Sequence, residues 1–351
     1  MAKIVSIAHA NPERCLTQEE SWSELNRLRE LSPLEKKYYK KFMLNEGIKK
    51  RHLALKNLED IFCTDQDQII KRYNEEAPIL SANSAIKALE KAKLPRDKID
   101  CVVTASCTGY LCPGLSSYMI ERTGIKPEAS VFDLQGMGCG AALPALSAGI
   151  GFLSTRKGPS NALVTCTELC SSSIYWDNDL GLILSNSIFA DGSASVILNN
   201  DPKAAGIEVI DVSTINFPDK REALRFKIKN GKLHNVLTAA VPEIASKGVE
   251  IVVADLLKKN SLQRSAIAFW AIHSGGSKVL STIAGKLGLS KKEISFSEEV
   301  LVDFGNMSSP SVLFTLEKIF DSGLYGSGDY GIMLSFGAGF SCYGMLLKIE
   351  N

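Results

Sequence analysis

Ala129-Ser130-Val131-Phe132-Asp133-Leu134 runs into Gly136-Met137-Gly138-Cys139-Gly140 and then into Ala141-Ala142-Leu143-Pro144-Ala145-Leu146-Ser147-Ala148-Gly149-Ile150. The first segment reads as a short strand. The glycines open a tight turn, because glycine accepts positive φ at little cost. The last segment reads as an apolar helix, with Pro144 tolerated in its first turn. Cys139 is thereby expected at a helix N-terminus. Backbone N–H groups and the helix dipole there favour thiolate and predict a lowered thiol pKa.

Two other junctions share this character. Ala266-Ile267-Ala268-Phe269-Trp270-Ala271-Ile272 is a strand-like apolar run. It ends in His273-Ser274-Gly275-Gly276, where the glycine pair turns the chain. Of the four histidines, His273 is a better candidate for chemistry than His9, His52 or His234. Gly305-Asn306-Met307-Ser308-Ser309-Pro310 leads into Val312, Leu313, Phe314 and Leu316. Serine followed by proline is a helix-start signal. Taken alone, Asn306 is equally well a capping or turn residue. A thiol, an imidazole and an amide together can load an acyl group on sulfur and stabilise a negative oxygen beside it. Acyl transfer is the chemistry these three residues imply.

With 351 residues, the chain exceeds one typical core and predicts two domains or one large double unit. Its 45% hydrophobic and 23% charged residues are ordinary for a globular protein. The net charge of +1 and the lack of a basic patch interleaved with aromatics argue against nucleic acid. The apolar run at Ile4–Ile7 is too short for a signal peptide, and residues 141–153 are too few to span a bilayer. A soluble, cytoplasmic protein is expected. The nine cysteines show no structural-zinc spacing, and without a secretion signal they read as reduced thiols.

Strand-like and helix-like segments alternate along the chain. Ala82, Ala85, Ile86 and Leu89 fall at helical spacing, as do Val249, Val252, Val253 and Leu256. Residues 99–106 and 162–166 read as buried strands. Two halves carry the same element order, with strands at 3–8 and 206–213 opening them. The Asn/Asp/Pro/Gly-rich stretch 199–206 is the natural join. Cys139 and Asn306 hold matching places ahead of a buried helix.

Together these motifs resemble the type III polyketide synthases, the chalcone-synthase-like branch of the thiolase superfamily. Gly305-Asn306-Met307-Ser308-Ser309 resembles that branch's Gly-Asn-Met-Ser-Ser. Phe269–Gly276 resembles its Phe-Trp-x-x-His-Pro-Gly-Gly. Ile188–Ala194 resembles its Phe-Gly-Asp-Gly-Ala-Ala stretch, and Val164–Glu168 its Val-x-Cys-Ser-Glu strand. Ser335–Gly339 resembles its Gly-Phe-Gly-Pro-Gly loop. The matches run in family order from about residue 50 to the end.

The resemblance implies an α/β protein with the duplicated, five-layered αβαβα thiolase fold. Residues 1–203 would form the half with the nucleophilic cysteine, and residues 204–351 the half with His273 and Asn306. It implies a decarboxylative Claisen condensation: malonyl-CoA units join an acyl starter held as a thioester on Cys139, iteratively and with later cyclisation. Cys139 would react as an imidazolium–thiolate pair with His273. His273 and Asn306 would stabilise the enolate left by loss of CO₂. No metal and no cofactor enter, since the coenzyme A thioesters are substrates. A homodimer is implied, with no nucleic acid or membrane partner.

Phe189 matches the family's gatekeeper. Cys107, Cys170, Asn235 and Ala338 depart from the plant pattern at pocket positions, and Cys112 stands where a methionine would cross to the partner subunit. Ser308, Gly337 and Gly339 complete the expected pocket. In the basic run from Lys36 to Arg51, Lys41 and Lys49 fall near positions that meet the carrier's phosphates. Asn45 replaces an expected lysine there. An acyl carrier protein would be drawn to the same patch. Three other readings compete: a single-step 3-ketoacyl synthase of fatty-acid type, a papain-like cysteine hydrolase, and a non-catalytic acyl-binding scaffold.

Overall fold

The computed structural model describes residues 2–45 and 47–350, apart from the Asn45 side chain. The chain begins with β1 (Lys3–Ala10), β2 (Cys15–Thr17), α1 (Gln18–Leu28), α2 (Pro33–Asn45), β3 (Lys50–His52), α3 (Gln66–Ala92) and β4 (Ile99–Ala105). It continues through α4 (Leu115–Thr123), β5 (Ser130–Leu134), α5 (Ala142–Ser154), β6 (Asn161–Leu169), α6 (Leu180–Ile188) and β7 (Asp191–Asn199). After the turn at 200–205 come β8 (Gly206–Asn216), β9 (Leu224–Lys229), β10 (Lys232–Leu237), α7 (Val241–Lys259), β11 (Ile267–Ile272) and α8 (Ser277–Leu287). The last elements are α9 (Ser295–Phe304), α10 (Ser311–Asp321), β12 (Tyr330–Gly337) and β13 (Ser341–Glu350).

Nine strands join in the order β11-β12-β13-β8-β1-β7-β6-β4-β5. The runs β4-β6-β7-β1 and β11-β12-β13-β8 repeat one another. Each opens with a parallel pair, then turns antiparallel twice. The two runs pair edge to edge where Lys3 and Ile4 of β1 face Glu208 and Ile207 of β8. The repeat is incomplete. β5 extends the first run, whereas α9 occupies the matching stretch of the second.

Helices cover the strands in layers. α5 and α10 share one apolar core with strands of both runs, including Val164 and Val196 on one side and Met333 and Leu347 on the other. They form the central layer. α3 and α4 pack on the outer face of the first run, and α7 and α8 on that of the second. The result is five layers, αβαβα. β6 and β7 are buried along nearly their whole length, as strands covered on both faces must be. No described helix is long and apolar enough to cross a membrane.

Candidate active site

Cys139 lies in a single 3-10 turn, Gly138–Gly140, between β5 and α5. Two glycines let this turn interlock with the C-terminal loop. A Cβ on Gly337 would sit 2.4 Å from the Gly140 nitrogen and 2.6 Å from the Met137 carbonyl, and one on Gly140 would sit 2.9 Å from Tyr343. The Ser335 hydroxyl donates to the Gly140 carbonyl at 3.0 Å and ties β12 to the same turn.

His273 directly follows β11. Its backbone N–H donates to Leu334 of β12 at 2.9 Å, and its ring meets Phe336 edge-on, with centroids 5.1 Å apart. The side chain is buried, and its Nδ1 has no hydrogen-bond partner among the described residues. Asn306 is clamped by its backbone, which donates to Ile188 and accepts from Ala190, each at 2.9 Å. These bonds form a short parallel bridge with Phe189. Its side-chain Oδ1 accepts from the Ser308 N–H at 2.8 Å, and Nδ2 donates to the Gly275 carbonyl at 3.2 Å. One Nδ2 hydrogen remains for a ligand.

Cys139, His273 and Asn306 converge on one outer chamber of about 700 Å³, with Phe42, Phe189, Phe336 and Lys278 also on its walls. An inner chamber of about 420 Å³ adjoins it. Cys107, Cys170, Asn235, Ser308, Ala338 and Gly339 line the inner chamber. Cys139, Phe189 and Leu224 belong to both and form the partition.

The remaining expected residues lie elsewhere. Gly337 lines neither chamber; it is the close contact beneath the cysteine turn. Cys112 is exposed on the stretch leading into α4 and lines neither chamber of its own chain. Lys41 and Lys49 are also exposed and off both walls. α2 buries Tyr39 and Met43 against Leu25 and Ile183, so Lys41 is left on its water face. The neighbouring Phe42 reaches the outer chamber instead. The Asn45 side chain lies outside the described residues.

Sequence reasoning missed Lys278, although a lysine in the first turn after Gly275-Gly276 was a legible signal. It also gave no role to Glu168 at the end of β6. This carboxylate is fully buried and accepts from Cys107 N at 3.0 Å, Thr108 N at 3.2 Å, Thr108 Oγ1 at 2.9 Å and Ser309 Oγ at 2.9 Å. It thus ties the loop after β4 to the segment that carries Asn306.

The electrostatics correct the expectation of a resting thiolate. Burial pushes the Cys139 thiol up to about 12, opposed by the Ser308 hydroxyl and reinforced by the negative charge of Glu168. Burial pushes the His273 imidazole down to about 3. Cys139 precedes α5 in a separate turn rather than sitting on its first N–H groups, and it is closed off from water. Desolvation therefore outweighs the helix end. Burial thus disfavours the charged form of both groups. Burial also raises the thiols of Cys107 and Cys170.

A shielded thiol, an imidazole and an oriented amide on a duplicated five-layered fold define a condensing enzyme of the acyltransferase class. The chain belongs to the type III polyketide synthase family. Residues 6–212 match the family model described as FAE1/Type III polyketide synthase-like protein. Residues 209–350 match the C-terminal domain of chalcone and stilbene synthases. The 3,5-dihydroxyphenylacetyl-CoA synthase of Streptomyces toyocaensis is 32% identical, over 84% of this chain and 78% of that protein. The alpha-pyrone synthesis polyketide synthase-like Pks18 of Mycobacterium tuberculosis is 29% identical, over 99% and 91%. The crystal structure of 1,3,6,8-tetrahydroxynaphthalene synthase from Streptomyces coelicolor superimposes with a TM-score of 0.91 at 24% identity, covering 99% of each chain. These likenesses favour a polyketide synthase over a single-step ketoacyl synthase, and the fold excludes a papain-like hydrolase.

Proposed function

We propose that this chain condenses malonyl-CoA units onto an acyl starter held on Cys139. The carrying observation is that Cys139, His273 and the oriented Asn306 amide face one chamber while Cys139 also opens into a second. His273, neutral at rest, takes the Cys139 proton as sulfur attacks the starter thioester and passes it to the departing coenzyme A thiolate. The acyl group is then on Cys139. In the outer chamber, the His273 and Asn306 N–H groups bond the thioester oxygen of malonyl-CoA. CO₂ leaves, and its bonding electrons form an enolate on that oxygen. The enolate carbon attacks the acyl carbonyl, with the Cys139 backbone N–H as donor to the new oxyanion. Collapse expels the Cys139 sulfur and leaves a chain longer by two carbons. Phe189 divides the entering thioester from the chain, which occupies the inner chamber. No metal or cofactor has a step in this scheme.

Further features support the partners. Lys278 on the outer wall suits the carrier's phosphates, and Gly47 brings the segment near Lys49 close to Ser277 at the start of α8. An acidic acyl carrier protein would meet the same side. β5 is an open sheet edge carrying exposed Val131 and Phe132. An edge of this kind invites pairing with a second copy, which supports a homodimer. Cys112, in the nearby exposed stretch, would then reach the partner subunit. Nine free thiols suit the reducing cytoplasm.

Incubation with malonyl-CoA and a panel of acyl-CoA starters tests the proposal. CO₂ release and products longer by two-carbon steps are expected, both lost in Cys139→Ala. Hydrolysis of the starter without new carbon–carbon bonds would refute it.

A further inference from the structure

The inner chamber has an unexpected wall. The turn 218–223 and the β9–β10 hairpin close it with Leu224, Phe226 and Leu233, and they add two arginines, Arg221 and Arg225. A chamber that only folds a neutral chain has no use for guanidinium groups. Asn186 Nδ2 donates to Tyr39 Oη and the Tyr175 carbonyl. The hydroxyls of Thr108, Ser173 and Ser185 donate to Glu168, Cys170 and Gly181. Asn235 gives one N–H to Ser185. The neutral polar groups are thus largely consumed by the protein itself.

The arginines keep donors to spare, although Arg225 gives its Nε to the Phe226 carbonyl at 3.4 Å. Arg221 has no side-chain hydrogen bond or ion pair among the described residues. Arg225 pairs with Glu222, which is exposed and has a second cation, Lys227, at 3.1 Å. An entering anion can therefore take Arg225 without leaving Glu222 unpaired. Two guanidinium forks suit a carboxylate, since each presents parallel N–H donors to its two oxygens.

We infer that the inner chamber selects acyl groups bearing a second carboxylate, held at the far wall by Arg221 and Arg225 while the thioester end sits on Cys139. The inference rests on the condensing function proposed above. It assigns the substrate class as dicarboxylyl monothioesters. The phosphates of coenzyme A present the same anionic chemistry, but the outer chamber with Lys278 is their side of the partition.

The test uses matched starters with malonyl-CoA as extender: succinyl- against butyryl-CoA, glutaryl- against pentanoyl-CoA, and adipoyl- against hexanoyl-CoA. The wild-type protein is expected to favour at least one dicarboxylyl starter over its neutral match by kcat/KM. In the Arg221→Gln, Arg225→Gln double variant that preference falls on the order of tenfold, the worth of a partly exposed charge-assisted hydrogen bond. Arg221→Lys, with Arg225 intact, keeps part of it. Lys220→Gln, on the same turn but paired with Asp219 and absent from the wall, leaves it unchanged. Neutral starters preferred in every pair, or a preference untouched by the double variant, would overturn the inference. So would an equal loss for neutral and dicarboxylyl starters, which places the arginines on the carrier's phosphates. Absence of any condensed product from all six starters would instead refute the condensing function.

Discussion

Replacing Asn306 with alanine separates the stability of the site from its chemistry. The amide makes two internal bonds, accepting from Ser308 N–H at 2.8 Å and donating to Gly275 at 3.2 Å. Ser308 holds a left-handed backbone, φ +62°, and is buried. Its N–H would lose its only side-chain acceptor, at a cost of about 1–3 kcal/mol. The folded state survives with a melting point lower by several degrees. The larger loss falls on malonyl decarboxylation, because the variant lacks one of two enolate donors. Removing one such donor slows comparable steps by about 10²–10³. Starter loading needs only Cys139 and His273, so intact-mass analysis should still find acyl–Cys139. The assay measures CO₂ release from malonyl-CoA beside loading and thermal stability. A folded variant that releases CO₂ within about tenfold of the wild type would remove Asn306 from the decarboxylation step.

Other outcomes follow from the same geometry. Cys139→Ala should abolish both product and covalent acyl adduct; an adduct on Cys107 or Cys112 by peptide mass mapping would contradict the assignment. Alkylation of Cys139 should climb with pH through 9 and 10 without levelling, because burial holds the thiol near 12 and only thiolate reacts; a plateau reached by about pH 6 would show a preformed ion pair with His273. Cys170→Phe enlarges a side chain on the inner wall and should shorten the product or narrow the starter range, as read by mass spectrometry of products; unchanged products from a folded variant would place Cys170 outside the working cavity. Gly337→Ala forces a carbon to within 2.4 Å of the Gly140 nitrogen and should cost about 1–3 kcal/mol while slowing acylation of Cys139, checked by denaturation and loading rate.

Much of this was legible from local signals. The apolar runs at 99–105 and 161–169 are strands because their residues are buried on both faces. The turn before Cys139, the strand before His273 and the helix start after Asn306 each announce themselves over a few residues. What escaped depends on distance in space. The Cys139 thiol is raised by exclusion of water, against the Ser308 hydroxyl and with the charge of Glu168, which arrives from another strand. Lys41 lies in a basic run, and the packing of Tyr39 and Met43 decides which way its helix faces. Gly337 is expected on the pocket wall, yet its close approach to Gly140 puts it beneath the cysteine turn. Arg221 and Arg225 reach the inner chamber only because the β9–β10 hairpin folds over it.

The repeated strand order has a bearing on how the protein matures. Cys139 and Asn306 stand before α5 and α10, the two helices that share the central layer, and that layer exists only when both runs of strands are present. β8 finds its long partner in β13 and shares only a short register with β1, at Lys3 and Ile4. During synthesis the thiol therefore emerges well before the imidazole and amide that give it a purpose. The His273 and Asn306 that complete the site belong to the run of strands that β13 closes against β8.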